Sequence, residues 1–135
     1  MEDFQPIQLG DLSLIPIFTP GHSPGALSWQ WQSCDKTQCL DIVYADSLSP
    51  VSAESYRFSA HLAYLQAYRT GVEKLAKLEC DILLAPHPSS AKMPKKLLSE
   101  QGLPDSKACQ RYANKIQNRI EKRLKKEKQA AANEF

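Results

Sequence analysis

Apolar residues fall along this chain in two periods, one that suits strands and one that suits helices. Leu12–Phe18 (LSLIPIF) is almost continuously apolar and predicts a buried strand, with Pro16 marking an edge or irregular position. Ala26–Gln32 (ALSWQWQ) alternates, with Leu27, Trp29 and Trp31 on one face, which predicts a half-buried strand. Leu40–Ala45 (LDIVYA) predicts the next strand, and the short turn between Cys34 and Cys39 makes the two a hairpin. Asp46–Pro50 then reads as a loop. Over Ala60–Leu78 the period changes: Leu62, Leu65, Tyr68, Val72, Leu75 and Leu78 recur at helical spacing, and Gly71 weakens the helix only mildly. Asp81–Ala85 is a short apolar strand, and Pro86 and Pro88 oppose a helix directly after it.

Pro94–Ser99 allows a helical turn. A long helix is predicted from Pro104 or Asp105 onward, over about residues 105–133. Proline is tolerated in a first turn, and Ala108, Tyr112, Ile116, Ile120 and Leu124 recur every four residues as one narrow apolar stripe. Its other faces carry Lys107, Arg111, Lys115, Arg119, Lys122, Arg123, Lys125, Lys126 and Lys128. A basic amphipathic helix can serve a membrane surface or a nucleic acid. Here no aromatic residues interleave the charges, and Glu121 and Glu127 dilute them, so a solvated outer helix is the preferred reading. The order strand, strand, strand, helix, strand, helix implies an α/β fold: a mixed sheet with helices on one face. No internal repeat divides it, so residues 1–135 are read as one domain.

Composition narrows this further. The 135 residues suffice for one ordinary domain, with 42% hydrophobic and 24% charged residues. A net charge of +2 gives no reason to expect a nucleic-acid partner. No stretch approaches the ~20 apolar residues that cross a bilayer, so no membrane span is expected. Met1 is followed by Glu2, Asp3 and Phe4, unlike a signal peptide. The four cysteines, Cys34, Cys39, Cys80 and Cys109, allow three fully paired arrangements, or could remain unpaired thiols. A zinc-binding cysteine cluster is disfavoured because no Cys-x-x-Cys occurs. Cys34 with Cys39, and Cys80 with Cys109, are the favoured disulfides, and they point to an exported protein whose leader is not in this sequence.

Candidate chemistry lies in two histidine segments, Thr19-Pro20-Gly21-His22-Ser23-Pro24-Gly25 and Ala85-Pro86-His87-Pro88. Each follows a predicted strand and sits on a loop stiffened by proline, a good way to present imidazole to a metal. The remaining histidine, His61, opens the first helix and reads as a surface or capping residue. Two ligands are too few for a catalytic zinc site, so the residues suggest metal chemistry with half of the donors missing.

These segments, with Ser28-Trp29, Tyr44-Ala45-Asp46-Ser47-Leu48-Ser49, Tyr56-Arg57-Phe58 and Cys80–Pro88, closely resemble the C-terminal half of class B metallo-β-lactamases, third subclass. In that subclass the first zinc has three histidine ligands, and the second has an aspartate and two histidines. The resemblance runs from about Leu9 to the end of the long helix. Thr-Pro-Gly-His alone would indicate only the wider fold; the Ala-Asp-Ser-Leu-Ser loop and Pro-His-Pro at this spacing are more specific. The two cysteine pairs also fit several secreted members.

The resemblance implies half of an αββα sandwich with a two-zinc site at its seam. His22 would be a ligand of the first zinc and His87 of the second. Ser47 would hydrogen-bond a zinc-bound water, and Ser47 and Ser49 would help hold the substrate carboxylate. Asp46 would buttress the loop rather than bind metal. The implied reaction is hydrolysis of a β-lactam amide, hence antibiotic resistance, by a hydroxide bridging two zinc ions that lower its pKa toward ~7. No serine nucleophile is needed. The full-length family would be periplasmic or secreted.

The family's His-x-His-x-Asp-His signature is absent from this sequence, and would lie ahead of Met1. Two of the six expected ligands are therefore present. The expectation is a truncated product or fragment, inactive alone, whose partner is the missing N-terminal half or an intact homologue. Its uncovered face would be an aggregation hazard. Other readings are a different hydrolase of the same fold, such as a thioesterase or lactonase, or a non-catalytic remnant that serves binding. The Ser47-Leu48-Ser49 loop, the cysteine pairs and Tyr56-Arg57-Phe58 favour the β-lactamase reading.

Overall fold

The computed structural model describes residues 1–134; Phe135, the last residue of the expected domain, lies outside them. A five-stranded sheet runs in the order β1 (Ile7–Leu9), β2 (Leu12–Phe18), β3 (Leu27–Cys34), β4 (Cys39–Tyr44), β5 (Ile82–Leu84). The first four strands are antiparallel neighbours, while β4 and β5 are parallel. A parallel neighbour needs a crossover, and α1 (Leu62–Lys77) lies on that connection. A 3-10 turn at Pro88–Ala91, the short α2 (Met93–Leu97) and the long α3 (Ala108–Ala132) complete the chain. The mixed sheet with helices is the expected architecture.

Several boundaries differ from the sequence reading. β1 was not expected; it is three residues long and pairs with β2 around Gly10, whose φ of +59° suits glycine. The hairpin strands run on until Cys34 faces Cys39. Pro88, read as opposing a helix, instead opens the 3-10 turn, where a missing N–H is harmless. The long helix starts later than expected, at Ala108. Asp105 is held outside it: its N–H donates to the Asp81 carbonyl at 2.6 Å, and its own carbonyl accepts from the Ala108 N–H at 3.0 Å. Both favoured disulfides are present, Cys34–Cys39 and Cys80–Cys109, and no cysteine is free.

The core lies between one face of the sheet and the helices. Val43, Leu83, Leu65, Tyr68, Val72 and Leu75 meet Tyr112, Ile116 and Ile120 of the α3 stripe. The stripe continues into Glu127, a carboxylate only 4% exposed, among the buried residues of α3. Gly71 lets α1 close on β2, since a Cβ there would sit 3.1 Å from the Thr19 Cα.

The alternation in β3 faces the other way from a simple reading of apolar residues as core. Ser28 is fully buried, while Leu27, Trp29 and Trp31 are half-buried on the opposite face. Both tryptophans share that face, as the alternation predicts. Pairing sets Trp29 beside Tyr44 and Tyr44 beside Leu84, and sets Trp31 beside Ile42 and Ile42 beside Ile82. The result is a continuous apolar band that none of the described helices covers completely.

Candidate functional site

His22 and His87 each emerge where a strand ends. After β2, Thr19 is fully buried; its hydroxyl lies 2.9 Å from that of Ser28, and its N–H donates to the Ala26 carbonyl at 3.1 Å. The loop closes on itself through the Ser23 carbonyl, which accepts from Gly21 at 3.2 Å and Ala26 at 3.3 Å. Gly21 packs so closely that an added Cβ would lie 2.8 Å from the Tyr68 ring and 3.0 Å from Leu48. The Tyr64 hydroxyl donates to the Gly21 carbonyl at 2.6 Å. The adjacent His22 is therefore presented from a tightly fixed backbone. Its Nδ1 lies 3.1 Å from the Ser49 carbonyl oxygen, which can only accept, so Nδ1 carries the proton and donates.

The loop after β4 is held as firmly. The Ala45 N–H continues the sheet to the Leu84 carbonyl at 2.9 Å. The Asp46 N–H donates to the Ser28 hydroxyl at 3.1 Å, and the Asp46 carboxylate accepts from the Ser47 N–H at 2.7 Å. Asp46 thus shapes the loop. Leu48 is fully buried and anchors it. Tyr68 of α1 donates to the Leu48 carbonyl, and Tyr112 of α3 donates to the Asp46 carbonyl at 3.1 Å. Burial pushes both phenols above their ordinary pKa, more than the nearby Arg119 cation lowers it, so they remain protonated donors.

Ser47, Ser49 and His87 line one cleft of about 280 Å³, with Tyr112, Lys115 and Arg119 as its α3 wall. His22 lines a neighbouring cleft of about 310 Å³ with Tyr56, His61 and Tyr64. Ser49 connects the two, since its carbonyl holds His22 and its hydroxyl lies in the His87 cleft. His61 does precede α1, but its ring makes no capping bond; it stacks on Tyr56 at 4.9 Å and 6°. Of the two readings, surface or capping residue, the exposed ring bears out the first, and the missing capping bond corrects the second.

Among the described residues, no group of three or more His, Cys, Asp or Glu side chains is placed to hold a metal ion. The donors present nevertheless suit zinc. With the His22 Nδ1 donating to a carbonyl, the neutral ring carries its lone pair on Nε2, the arrangement metal-binding histidines use. His22 and His87 are both exposed. Each is therefore open to a metal ion from its own cleft.

Sequence reasoning missed the supporting residues: Thr19 and Ser28, Tyr64, Tyr68 and Tyr112, and Arg119. A polar residue facing inward from a strand and tyrosine hydroxyls on apolar helix faces were the available signals. Nothing in the α3 pattern distinguished Arg119 from its basic neighbours.

No family model matches the chain. Among solved structures, the chain is 55% identical to MIM-2 metallo-β-lactamase over 93% of its length and 46% of that chain, with a TM-score of 0.87. It is 40% identical to metallo-β-lactamase MIM-1 from Novosphingobium pentaromativorans, over 97% of this chain and 48% of that one, with a TM-score of 0.91. It is 31% identical to MEM-A1, a subclass B3 metallo-β-lactamase from a soil metagenome library, over 100% of this chain and 53% of that one, with a TM-score of 0.87. The chain spans about half the length of these relatives.

Proposed function

We propose, for a chain that belongs to the subclass B3 metallo-β-lactamases and matches their C-terminal half, a role as the half-site of a zinc-dependent β-lactam hydrolase. Its substrate is the β-lactam amide, and its partner is a complementary half carrying the remaining zinc ligands. By itself the 135-residue chain is inactive. The observation that carries this reading is the His22–Ser49 hydrogen bond, because it leaves the His22 Nε2 free as a donor and ties it to the cleft of His87, Ser47 and Ser49.

In the mechanism, His22 and His87 would hold zinc, which supplies Lewis acidity and a nucleophilic oxygen at neutral pH. The chain's other residues bind and orient. Ser47 and Ser49 face the same cleft as His87 and offer hydroxyls to a substrate carboxylate. Buried tyrosines fix the carbonyls of both loops, so these groups are set before substrate arrives. The apolar band of Trp29, Trp31, Ile42, Tyr44, Ile82 and Leu84 is the surface on which the complementary half would pack, sheet against sheet.

The test combines the purified chain with a separately expressed N-terminal half from a subclass B3 relative, in zinc buffer, with a chromogenic cephalosporin as substrate. The expected result is no turnover by the chain alone, EDTA-sensitive turnover by the pair, and loss of that turnover in His22→Ala and His87→Ala. Zinc-dependent turnover by the chain alone, or a reconstituted pair indifferent to both substitutions, would overturn the reading. Thioester or lactone hydrolysis without lactam hydrolysis would redirect it to another chemistry of the same fold.

A further inference from the structure

We propose that Arg119 is the carboxylate-binding residue of this site, supplying the charge that two serine hydroxyls lack and setting Ser49 to donate. The inference rests on the β-lactam reading and adds to it a residue from the terminal helix, far in sequence from either histidine segment.

The geometry carries it in three steps. The Arg119 Nη2 donates to the Ser49 Oγ at 2.9 Å. That bond uses a lone pair of the hydroxyl oxygen, so the hydroxyl's own hydrogen turns toward another acceptor. The same arginine lines the cleft that holds Ser47, Ser49 and His87, and Lys115 lies one turn before it on the same wall. Among the described residues neither Arg119 nor Lys115 has a carboxylate partner, whereas Arg57, Arg69, Arg111 and Arg123 all do.

The position also suits a carboxylate. A guanidinium presents five N–H donors in a fixed fork that matches both oxygens of a carboxylate. Arg119 is half-buried, which fixes the fork and lessens screening by water. Beyond the cleft, Lys92, Lys96, Arg111 and Lys122 line a groove of about 500 Å³ that shares Ser90, Tyr112, Lys115 and Arg119 with it. Lys96 and Arg111 are paired with Asp105 there, so among the described residues Lys92, Lys115 and Lys122 are the groove cations that draw an anion toward Arg119.

The test is titration of the ¹⁵N-labelled, zinc-free full chain with benzylpenicillin and with its methyl ester, followed by NMR; without zinc the ring stays intact. Benzylpenicillin is expected to shift the amides of Ser47 and Ser49 and the Arg119 Nε signal, while the ester leaves them in place. Arg119→Gln should weaken binding roughly tenfold to a hundredfold, the scale of one charge-assisted hydrogen bond. Arg119→Lys, which keeps charge and stem, should weaken it less and guards against a folding artefact, together with the dispersion of each variant's spectrum. Equal binding of acid and ester, unchanged affinity in Arg119→Gln, or no shift with either compound would overturn the proposal. Phenylacetate binding as tightly as benzylpenicillin, with the same Arg119 dependence, would keep the anion site and remove the lactam reading. Penicillin binding indifferent to Arg119 would keep the lactam reading and remove this one.

Discussion

Replacing Glu127 should release the loop that carries Tyr56, Arg57 and Phe58 from the end of α3. This carboxylate is 4% exposed and accepts from the Phe58 N–H at 3.0 Å, the Ser59 N–H at 3.0 Å, the Ser59 hydroxyl at 2.8 Å and the Arg123 Nε at 3.2 Å. Arg123 and Arg57 brace the same junction, with Arg123 donating to the Tyr56 carbonyl at 2.8 Å and Arg57 to the Glu127 carbonyl at 2.9 Å. Glu127→Ala leaves two loop N–H groups and an arginine without their acceptor. A buried group stripped of its partner costs about 1–3 kcal/mol, and removing one member of a buried ion pair costs about 3–5 kcal/mol. Because Arg123 keeps two carbonyl acceptors and water can reach the loop, the expected loss is at the lower end, about 3 kcal/mol. Glu127→Gln keeps one carbonyl acceptor and should lose about half as much.

The pH dependence gives a second reading of the same carboxylate. Burial acts to raise its pKa, but the Ser59 N–H and hydroxyl, the Phe58 N–H and Arg123 outweigh burial and hold it below the ordinary glutamate value. A depressed folded-state pKa stabilises above the unfolded value of about 4.5 and loses that contribution as pH falls through the folded one. Urea denaturation of parent and Glu127→Gln across pH 3 to 7 should therefore show the gap between them closing on the acid side. A loss below about 1 kcal/mol in Glu127→Ala, or a gap that stays constant with pH, would refute this account of the clamp.

Two further perturbations test the supports of the site. Gly21→Ala would place a Cβ 2.8 Å from the buried Tyr68 ring; it should cost about 2 kcal/mol in urea denaturation and move the His22 imidazole resonances, and a neutral effect would mean the loop is looser than described. Removing the Cys80–Cys109 bond, which spans 29 residues, by a paired Cys→Ser change should cost about 3.5 kcal/mol; a loss no larger than about 2 kcal/mol, the value the chain-entropy relation gives for the short Cys34–Cys39 clip, would contradict it.

Local pattern alone determined much of this molecule. Short apolar runs, alternation and helical spacing located four of the five strands and the two long helices, because side-chain direction along a strand or helix follows from backbone geometry. The short β1 escaped because three exposed residues carry no periodic signal. The histidine loops were legible because proline, glycine and histidine each fix a local property, and the matching of whole motifs identified the family.

What the sequence left open depended on contacts between distant residues. It did not say which face of the sheet the helices cover; the structure buries Ser28 and turns Trp29 and Trp31 outward, since packing on α1 and α3 decides which side of a strand is inside. It gave Arg119 and Glu127 the appearance of ordinary surface charges. Only the approach of α3 to loops some 70 residues earlier turns one into a partner of Ser49 and the other into a buried acceptor. Charge alone does not reveal such roles, because a side chain acquires them from the polar groups that folding brings against it.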